Sequence, residues 1–326
     1  MPPDHTVRIM PHGRSVSAPA DLPVLTAAML AGLPLPHSCR AGRCGSCRAR
    51  LLSGRIEYPD GPPPGLSAQE ARQGYVLLCQ ARARTDLVVE ARLVGRTEAV
   101  EIGTVSARIV RRVQMAADVI QLVLRVPAGE SMRFEPGQHL DVLLEGGPRR
   151  SYWVANAAQA GSSLELHVRI VPGGRFSEGL LGTLREGATL AIEGPIGEFV
   201  YRGDARPVIF IAGGTGFAAI KAMLGAALAE GSTHELHLYR GAGDLADVYE
   251  EALVRDWAGR HGRLRVHPHR AGALHEAVLG EHASLAPFAV YAAGPPAMIE
   301  AIRQTFPARG AQPQQLHLDA SCASSS

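Results

Sequence analysis

Cys39, Cys44, Cys47 and Cys79 read C-x4-C-x2-C, with the last cysteine 32 positions further on. That is the plant-type ligand spacing for a [2Fe–2S] cluster, in which four thiolates hold two irons and two bridging sulfides. Gly42 and Gly45 fall between the ligands, where a residue without Cβ lets the chain turn sharply and aim N–H groups at sulfur. Four cysteines also suit zinc, but structural zinc sites pair two short cysteine turns, and Cys79 stands alone in Leu77-Leu78-Cys79-Gln80. A disulfide framework fits poorly in a long chain without secretory features. The expected chemistry is one-electron transfer, which makes and breaks no bonds. The rest of the chain must supply the electrons.

Length and composition describe the scaffold that holds this site. A chain of 326 residues predicts two or three domains. An apolar content of 46% suits globular cores, and a net charge of +2 gives no electrostatic case for nucleic acid or an anionic membrane. No stretch reaches the roughly 20 uncharged apolar residues of a membrane span; Phe217 to Ala229 contains Lys221 and reads as a helix on a sheet. The first twenty residues lack the apolar core of a signal peptide, so a reduced, cytoplasmic setting is expected. Ahead of Cys79, Ser67 and Glu70 form a capping box that opens a helix.

The texture then changes twice. Residues 104–112, 119–126, 139–144, 164–171 and 188–193 read as short strands broken by glycine and proline, which predicts an antiparallel barrel. From about residue 204 strands and helices alternate, the pattern of a parallel α/β sheet. Val208 to Ala212 is a continuous apolar run, as in a strand buried on both faces. It ends in Gly213-Gly214-Thr215-Gly216, a second strand ends in Tyr239-Arg240-Gly241, and a third ends in Gly294-Pro295-Pro296-Ala297-Met298. Ligands of open α/β sheets sit beyond the carboxyl ends of strands, so three such turns together predict one site. Domain limits are expected at 1–97, 98–203 and 204–326.

These motifs, in this order, resemble the ferredoxin–NAD(P)+ reductase superfamily, in particular the reductase components of bacterial multicomponent oxygenases. Residues 1 to about 95 are similar to the plant-type ferredoxin module, which implies a β-grasp fold. Arg150-Ser151-Tyr152-Trp153 resembles the flavin motif R-x-Y-S, whose arginine neutralises the FAD pyrophosphate and whose tyrosine packs on the isoalloxazine. His167-Val168-Arg169 stands where the family's second FAD segment ends a strand. Gly173-Gly174-Arg175-Phe176-Ser177 is then expected to open a helix whose N–H groups suit an anionic pyrophosphate. Gly213 to Gly216 resembles the family's G-G-T-G turn, and Gly294 to Met298 matches its C-G-P-P-x-M apart from the first residue. The resemblance implies that NAD(P)H gives a hydride to FAD, that the flavin passes single electrons to the cluster, and that the cluster reduces a separate protein.

Three departures fall where such a reductase transfers hydride. Trp153 replaces a hydroxyl residue, Ala293 replaces the cysteine near the nicotinamide, and Ser321 stands where relatives carry an aromatic over the flavin. Together with Tyr152 these are the candidate catalytic positions. Hydride transfer is expected to be slowed, or the nicotinamide to dock differently, unless the departures are balanced elsewhere in the site. Arg240 is available for a 2′-phosphate, but Gly243, Asp244 and Asp247 disfavour one, so NADH is expected over NADPH. The expected acceptor is a terminal mono- or dioxygenase; the alternatives are a deoxysugar dehydratase, or a redox-sensing protein on the same scaffold. Arg40, Arg43, Arg48, Arg50 and Arg55 are either a solvated surface or a face that steers an acidic acceptor. The protein itself is expected to be monomeric. Among 13 histidines, His267-Pro268-His269 lacks the spacing of a ligand pair, and Cys322 reads as a bystander thiol.

Overall fold

The computed structural model describes the chain apart from residues 1–3, 34, 92, 94–101, 131, 145–148, 158–162, 172–184, 202, 204, 244–246, 269, 272 and 322–326. It divides into two compact units, Met1–Ala99 and Val100–Ser326.

In the first unit, β1 (Asp4–Met10) and β2 (Arg14–Pro19) form a hairpin, followed by α1 (Val24–Leu30), β3 (Arg48–Ser53), β4 (Ile56–Glu57), α2 (Ala68–Arg72), β5 (Tyr75–Leu77), β6 (Arg82–Ala83) and β7 (Leu87–Glu90). The main sheet runs β2-β1-β7-β3-β5, with β1 and β7 parallel and the other pairs antiparallel. This is the expected β-grasp. Alternation in β1 turns Val7 and Ile9 inward onto Val24 and Leu25 of α1, in a core that includes Cys47 and Cys79. The ligand loop therefore hangs from packed secondary structure at both ends, between α1 and β3 and just after β5. The capping box forms as expected: Glu70 N donates to Ser67 Oγ at 3.2 Å, and Ser67 N to Glu70 Oε2 at 2.9 Å.

The second unit opens with β8 (Gly103–Ala116), β9 (Val119–Arg125), β10 (His139–Leu143), β11 (Arg149–Trp153), β12 (Ser163–Arg169) and β13 (Thr189–Ile196). All are paired antiparallel in the order β11-β10-β13-β8-β9-β12. A bridge from Val154 to Leu166 joins the two ends and closes the barrel. Strand β11 did not stand out in the sequence because its five residues, Arg-Arg-Ser-Tyr-Trp, are mostly polar. The parallel sheet follows with β14 (Val208–Gly213), α3 (Phe217–Ala229), β15 (Leu236–Ala242), α4 (Glu251–Arg260), β16 (Leu264–Val266), β17 (Arg270–Ala271), α5 (Leu274–Glu281), β18 (Ala289–Gly294), α6 (Pro296–Thr305) and β19 (Leu316–Ala320). Its order is β16-β15-β14-β18-β19, with every neighbour parallel. Barrel and sheet share one apolar core, in which Val119, Trp153 and Ala155 lie with Phe210, Phe217, Met223 and Tyr291. Among the described residues no helix is long and apolar enough to cross a membrane.

Candidate functional site

All four cysteines of the first unit are buried, the most accessible being Cys39 at 9%. Cys39 Sγ accepts N–H bonds from Ala41, Arg43 and Cys44 at 3.4 to 3.5 Å, and Cys44 Sγ accepts from Cys39 and Ser46 at 3.5 Å. Donors aimed at sulfur are what thiolates bearing a cluster require. The loop obtains them with left-handed backbone at Arg40, Gly42 and Gly45 (φ 50°, 70° and 75°). A Cβ on Gly42 would stand 2.8 Å from both Gln80 Cγ and Pro63 Cβ, so no larger residue fits. Gln80 Nε2 donates to Arg40 O at 2.9 Å and joins the loop to the segment bearing the fourth ligand. The hydrogen bond between Cys47 and Cys79 is the largest influence on each thiol, raising Cys47 and lowering Cys79. Four converging soft ligands with their own N–H donors fit a [2Fe–2S] cluster.

In the barrel, strand alternation puts Arg150 and Tyr152 on one face of β11, and Ser151 and Trp153 on the other. Burial raises the Tyr152 phenol, against the partly offsetting charge of Arg150. A guanidinium and a half-buried aromatic on one face suit a pyrophosphate and a flat ring respectively, so this pair fits a flavin. Ser151 belongs to the other face, where its Oγ donates to Asp141 Oδ1 at 2.6 Å. Gly174, Arg175, Phe176 and Ser177 lie outside the described residues. Val168 is in the barrel core. Arg169 pairs through Nε with Asp118 Oδ2 at 2.7 Å, and its Nη1 stands 3.4 Å from where a Cβ on Gly214 would lie. It thus reaches from the barrel to the first glycine turn.

His167 turns its side chain into a buried network. Its Nδ1 meets the Tyr249 hydroxyl and its Nε2 meets Glu165 Oε1, each at 2.9 Å. Lys221 Nζ, from α3, donates to Glu165 at 2.7 Å and to Glu250 at 2.6 Å. Burial opposes charge on Glu165, but the bond from His167 and the Lys221 ammonium outweigh it and hold the carboxyl at about 2. Glu250 adopts a left-handed φ of 58°, a costly backbone for a residue with Cβ. Three motif-free residues, Glu165, Lys221 and Glu250, so fasten barrel to sheet.

The three glycine turns of the sheet meet, as expected, around a cleft of about 340 Å³ lined by Arg169, Gly213, Gly214, Gly241, Gly243, Leu274, His275, Pro295 and Met298. A Cβ on Gly213 would lie 2.7 Å from Pro295 Cδ and 2.9 Å from Met298 Sδ, so the first and third turns touch only because Gly213 is bare. A Cβ on Gly216 would strike the Ala293 carbonyl. Two candidates turn away from the cleft. Tyr239 stacks on His267, with centroids 3.9 Å apart. Arg240 is 2% exposed, bonds Glu251 Oε1 at 3.0 Å and the Tyr249 carbonyl, and lies over the Phe217 ring. The expectation that Arg240 is available for a 2′-phosphate is therefore corrected: desolvating a guanidinium requires a partner, and Glu251 has taken it.

Trp153, Ala293 and Ser321 do converge, around a residue the sequence reading missed. The Trp153 indole Nε1 donates to Asp319 Oδ2 at 2.9 Å. Asp319 lies opposite Ala293 in the β18–β19 register, and Ser321 N donates to Gly294 O at 2.8 Å. Asp319 is 1% exposed. A lone carboxylate in the strand Leu316-His317-Leu318-Asp319-Ala320 was the available signal, because a buried charge needs a donor.

Three family models match in order: the 2Fe-2S iron-sulfur cluster binding domain over residues 7–84, the oxidoreductase FAD-binding domain over 106–201, and the oxidoreductase NAD-binding domain over 210–304. The chain is 31% identical to the CDP-6-deoxy-L-threo-D-glycero-4-hexulose-3-dehydrase reductase of Yersinia pestis, over 96% of this chain and 97% of that protein. It is 33% identical to the xylene/toluene monooxygenase electron transfer component XylA of Pseudomonas putida, over 92% and 89%. Among solved structures, the Amycolatopsis cytochrome P450 reductase GcoB superposes with a TM-score of 0.76 at 32% identity, covering 96% of this chain and 97% of that one.

Proposed function

Because this chain belongs to the ferredoxin–NAD(P)+ reductase superfamily, as a reductase with its own [2Fe–2S] ferredoxin domain, we propose that it delivers electrons to a separate terminal oxygenase. It is an NAD(P)H oxidoreductase using FAD and a [2Fe–2S] cluster. The observation that carries the reading is the presence of all three modules, in order, over nearly the full length of reductases with named acceptors. When bound, the flavin accepts an electron pair and releases it singly, which nicotinamide and the cluster cannot do. We take the modules as 1–97, 98–203 and 204–326.

In this assignment each residue has a defined task. Cys39, Cys44, Cys47 and Cys79 hold the cluster, and the loop amides stabilise charge on sulfur. Arg150 neutralises the FAD pyrophosphate, with the 172–184 segment contributing Gly174 to Ser177, and Tyr152 flanks the ring. Gly213 to Gly216, Gly241 and Gly294 to Met298 admit the nicotinamide dinucleotide, whose pyrophosphate has Arg169 within the cleft. Trp153 and Asp319 close the junction near Ala293 and Ser321 and keep water from it. NADH is favoured over NADPH, because Arg240 faces inward while Gly243 and Asp247 offer a 2′-phosphate no cation. Arg50 and Arg55, exposed beside the ligand loop, suit an acidic docking face. The protein works as a monomer in the reducing cytoplasm, where four such thiols stay available for a cluster.

The test is anaerobic mixing of the reconstituted protein with NADH in the absence of dithionite. Bleaching of flavin and then of cluster supports the assignment, and a cluster that stays oxidised refutes it, leaving the sensing role. Affinity capture then decides the acceptor: an oxygenase is expected. A second reading, a deoxysugar dehydratase as acceptor, is favoured by the full-length match to the Yersinia reductase.

A further inference from the structure

The parallel sheet carries a histidine cluster that neither the barrel nor the nucleotide cleft uses. His237 is the second residue of β15, His267 follows β16, and His282 directly follows α5. One ligand atom from each lies within 4.8 Å of the other two. We propose that His237, His267 and His282 form a binding site for a borderline first-row divalent cation, with Zn²⁺ as the probe. Three neutral imidazoles are the donor set such ions prefer, and they exclude Mg²⁺ and Ca²⁺, which demand oxygen.

Four observations beyond proximity support a built site. First, His237 Nδ1 stands 3.0 Å from His267 Nε2, close to the roughly 3.0–3.4 Å that separates two nitrogens each about 2.1 Å from one ion. Second, Glu281, the last residue of α5, accepts a hydrogen bond from His267 Nδ1–H. That carboxylate–histidine contact fixes the tautomer and leaves Nε2 as the lone-pair nitrogen, the usual outer support of a metal-bound imidazole. Third, the Tyr239 hydroxyl donates to Glu281 Oε2 at 3.1 Å and lies 2.9 Å from His282 Nε2. With the phenol as donor to Glu281, His282 Nε2–H donates to the phenol oxygen, and His282 keeps its lone pair on Nδ1.

Fourth, His237 Nε2 is buried without a hydrogen-bond partner among the described residues, 3.7 Å from Glu235 Oε2. In the ion-free chain His237 Nδ1–H donates to His267. On binding, that proton moves to Nε2, beside the Glu235 carboxylate, and Nδ1 becomes the ligand; no proton is lost overall. Glu235 and Glu281 outnumber the nearby Arg265, which pairs with Glu235 at 3.7 Å. Phe288 closes one side against His237 and His282, and the partial exposure of His267 and His282 leaves an entry.

The test uses holoprotein with cluster and flavin in place, so that the cysteines are already occupied. After dialysis against chelator, Zn²⁺ is titrated by calorimetry, and zinc and iron are counted by mass spectrometry. One Zn²⁺ per chain is expected, with iron unchanged. His267→Gln and His282→Gln, both on half-buried residues, should each weaken binding at least tenfold. Glu281→Gln should weaken it by about 10- to 100-fold through loss of the outer support, and His261→Gln, outside the cluster, should leave it unchanged. The proposal is overturned if the wild type takes up no more zinc than the His267→Gln/His282→Gln double variant.

Discussion

The cluster loop and the junction around Trp153 solve opposite problems. In the loop, three of the four ligands fall within nine residues, and their surroundings are backbone: amides on sulfur and two glycines with left-handed φ. At the junction, Trp153, Ala293 and Asp319 come from three strands of two sheets, Ser321 directly follows the last of them, and the contact between the sheets is made by side chains. A loop built from backbone tolerates exchange of its exposed side chains and fails when a ligand or glycine changes. A junction built from side chains can exchange members if a partner compensates, and here the Trp153–Asp319 bond is the contact on which such compensation would rest.

The largest expected effect is on the loop. Cys79→Ser should abolish cluster assembly and electron delivery to cytochrome c while leaving NADH-driven flavin reduction intact, read by iron content and stopped-flow absorbance. If flavin reduction collapses as well, the two regions are not independent. Next is the junction. Trp153→Phe keeps most of the bulk and removes one donor from a buried carboxylate, which costs ~1–3 kcal/mol. The thermal midpoint of the barrel–sheet unit should fall while the cluster's visible circular dichroism holds. Loss of a positioning contact commonly slows reaction by ~10², so flavin reduction should slow with it. An unchanged midpoint would remove Asp319 from the account.

A comparable effect follows from pH. Glu165 titrates at about 2 in the folded protein, against 4.5 for the ordinary carboxyl. Because the folded value is depressed, its stabilisation is present above pH 4.5 and is lost as pH falls from there towards 2. The shift corresponds to ~3 kcal/mol. Lys221→Met should flatten that acid limb in chemical denaturation, and an unaltered limb would show that His167 alone carries the shift. The smallest effect is expected from Ala293→Cys, at the position proposed to lie beside the nicotinamide: a modest gain in flavin reduction rate. No gain would mean that the Trp153–Asp319 pair already compensates.

What the sequence revealed follows the same divide. Cysteine spacing, the capping box and the glycine turns are local patterns, and each appears where it was expected. Arg150 and Tyr152 share a face because strand alternation demands it. Asp319, Lys221 and Glu250 were not legible, since their partners lie 166, 56 and 29 positions away respectively. Arg240 was misjudged for a related reason: its neighbour Gly241 lines the cleft, but strand alternation turns the guanidinium inward to Glu251.

Helix α3 is buried around nearly its whole circumference, with Phe217, Ile220, Met223, Leu224 and Leu228 all hidden. Met223 reaches the barrel, where its Cε occupies the space a Cβ on Gly137 would need. A helix lacking a wet face cannot be left half covered. The parallel sheet expressed without its barrel would expose an oily flank and aggregate, so barrel and sheet should melt in a single transition and be inherited as one piece. The ferredoxin module has its own core and can be spliced to other partners.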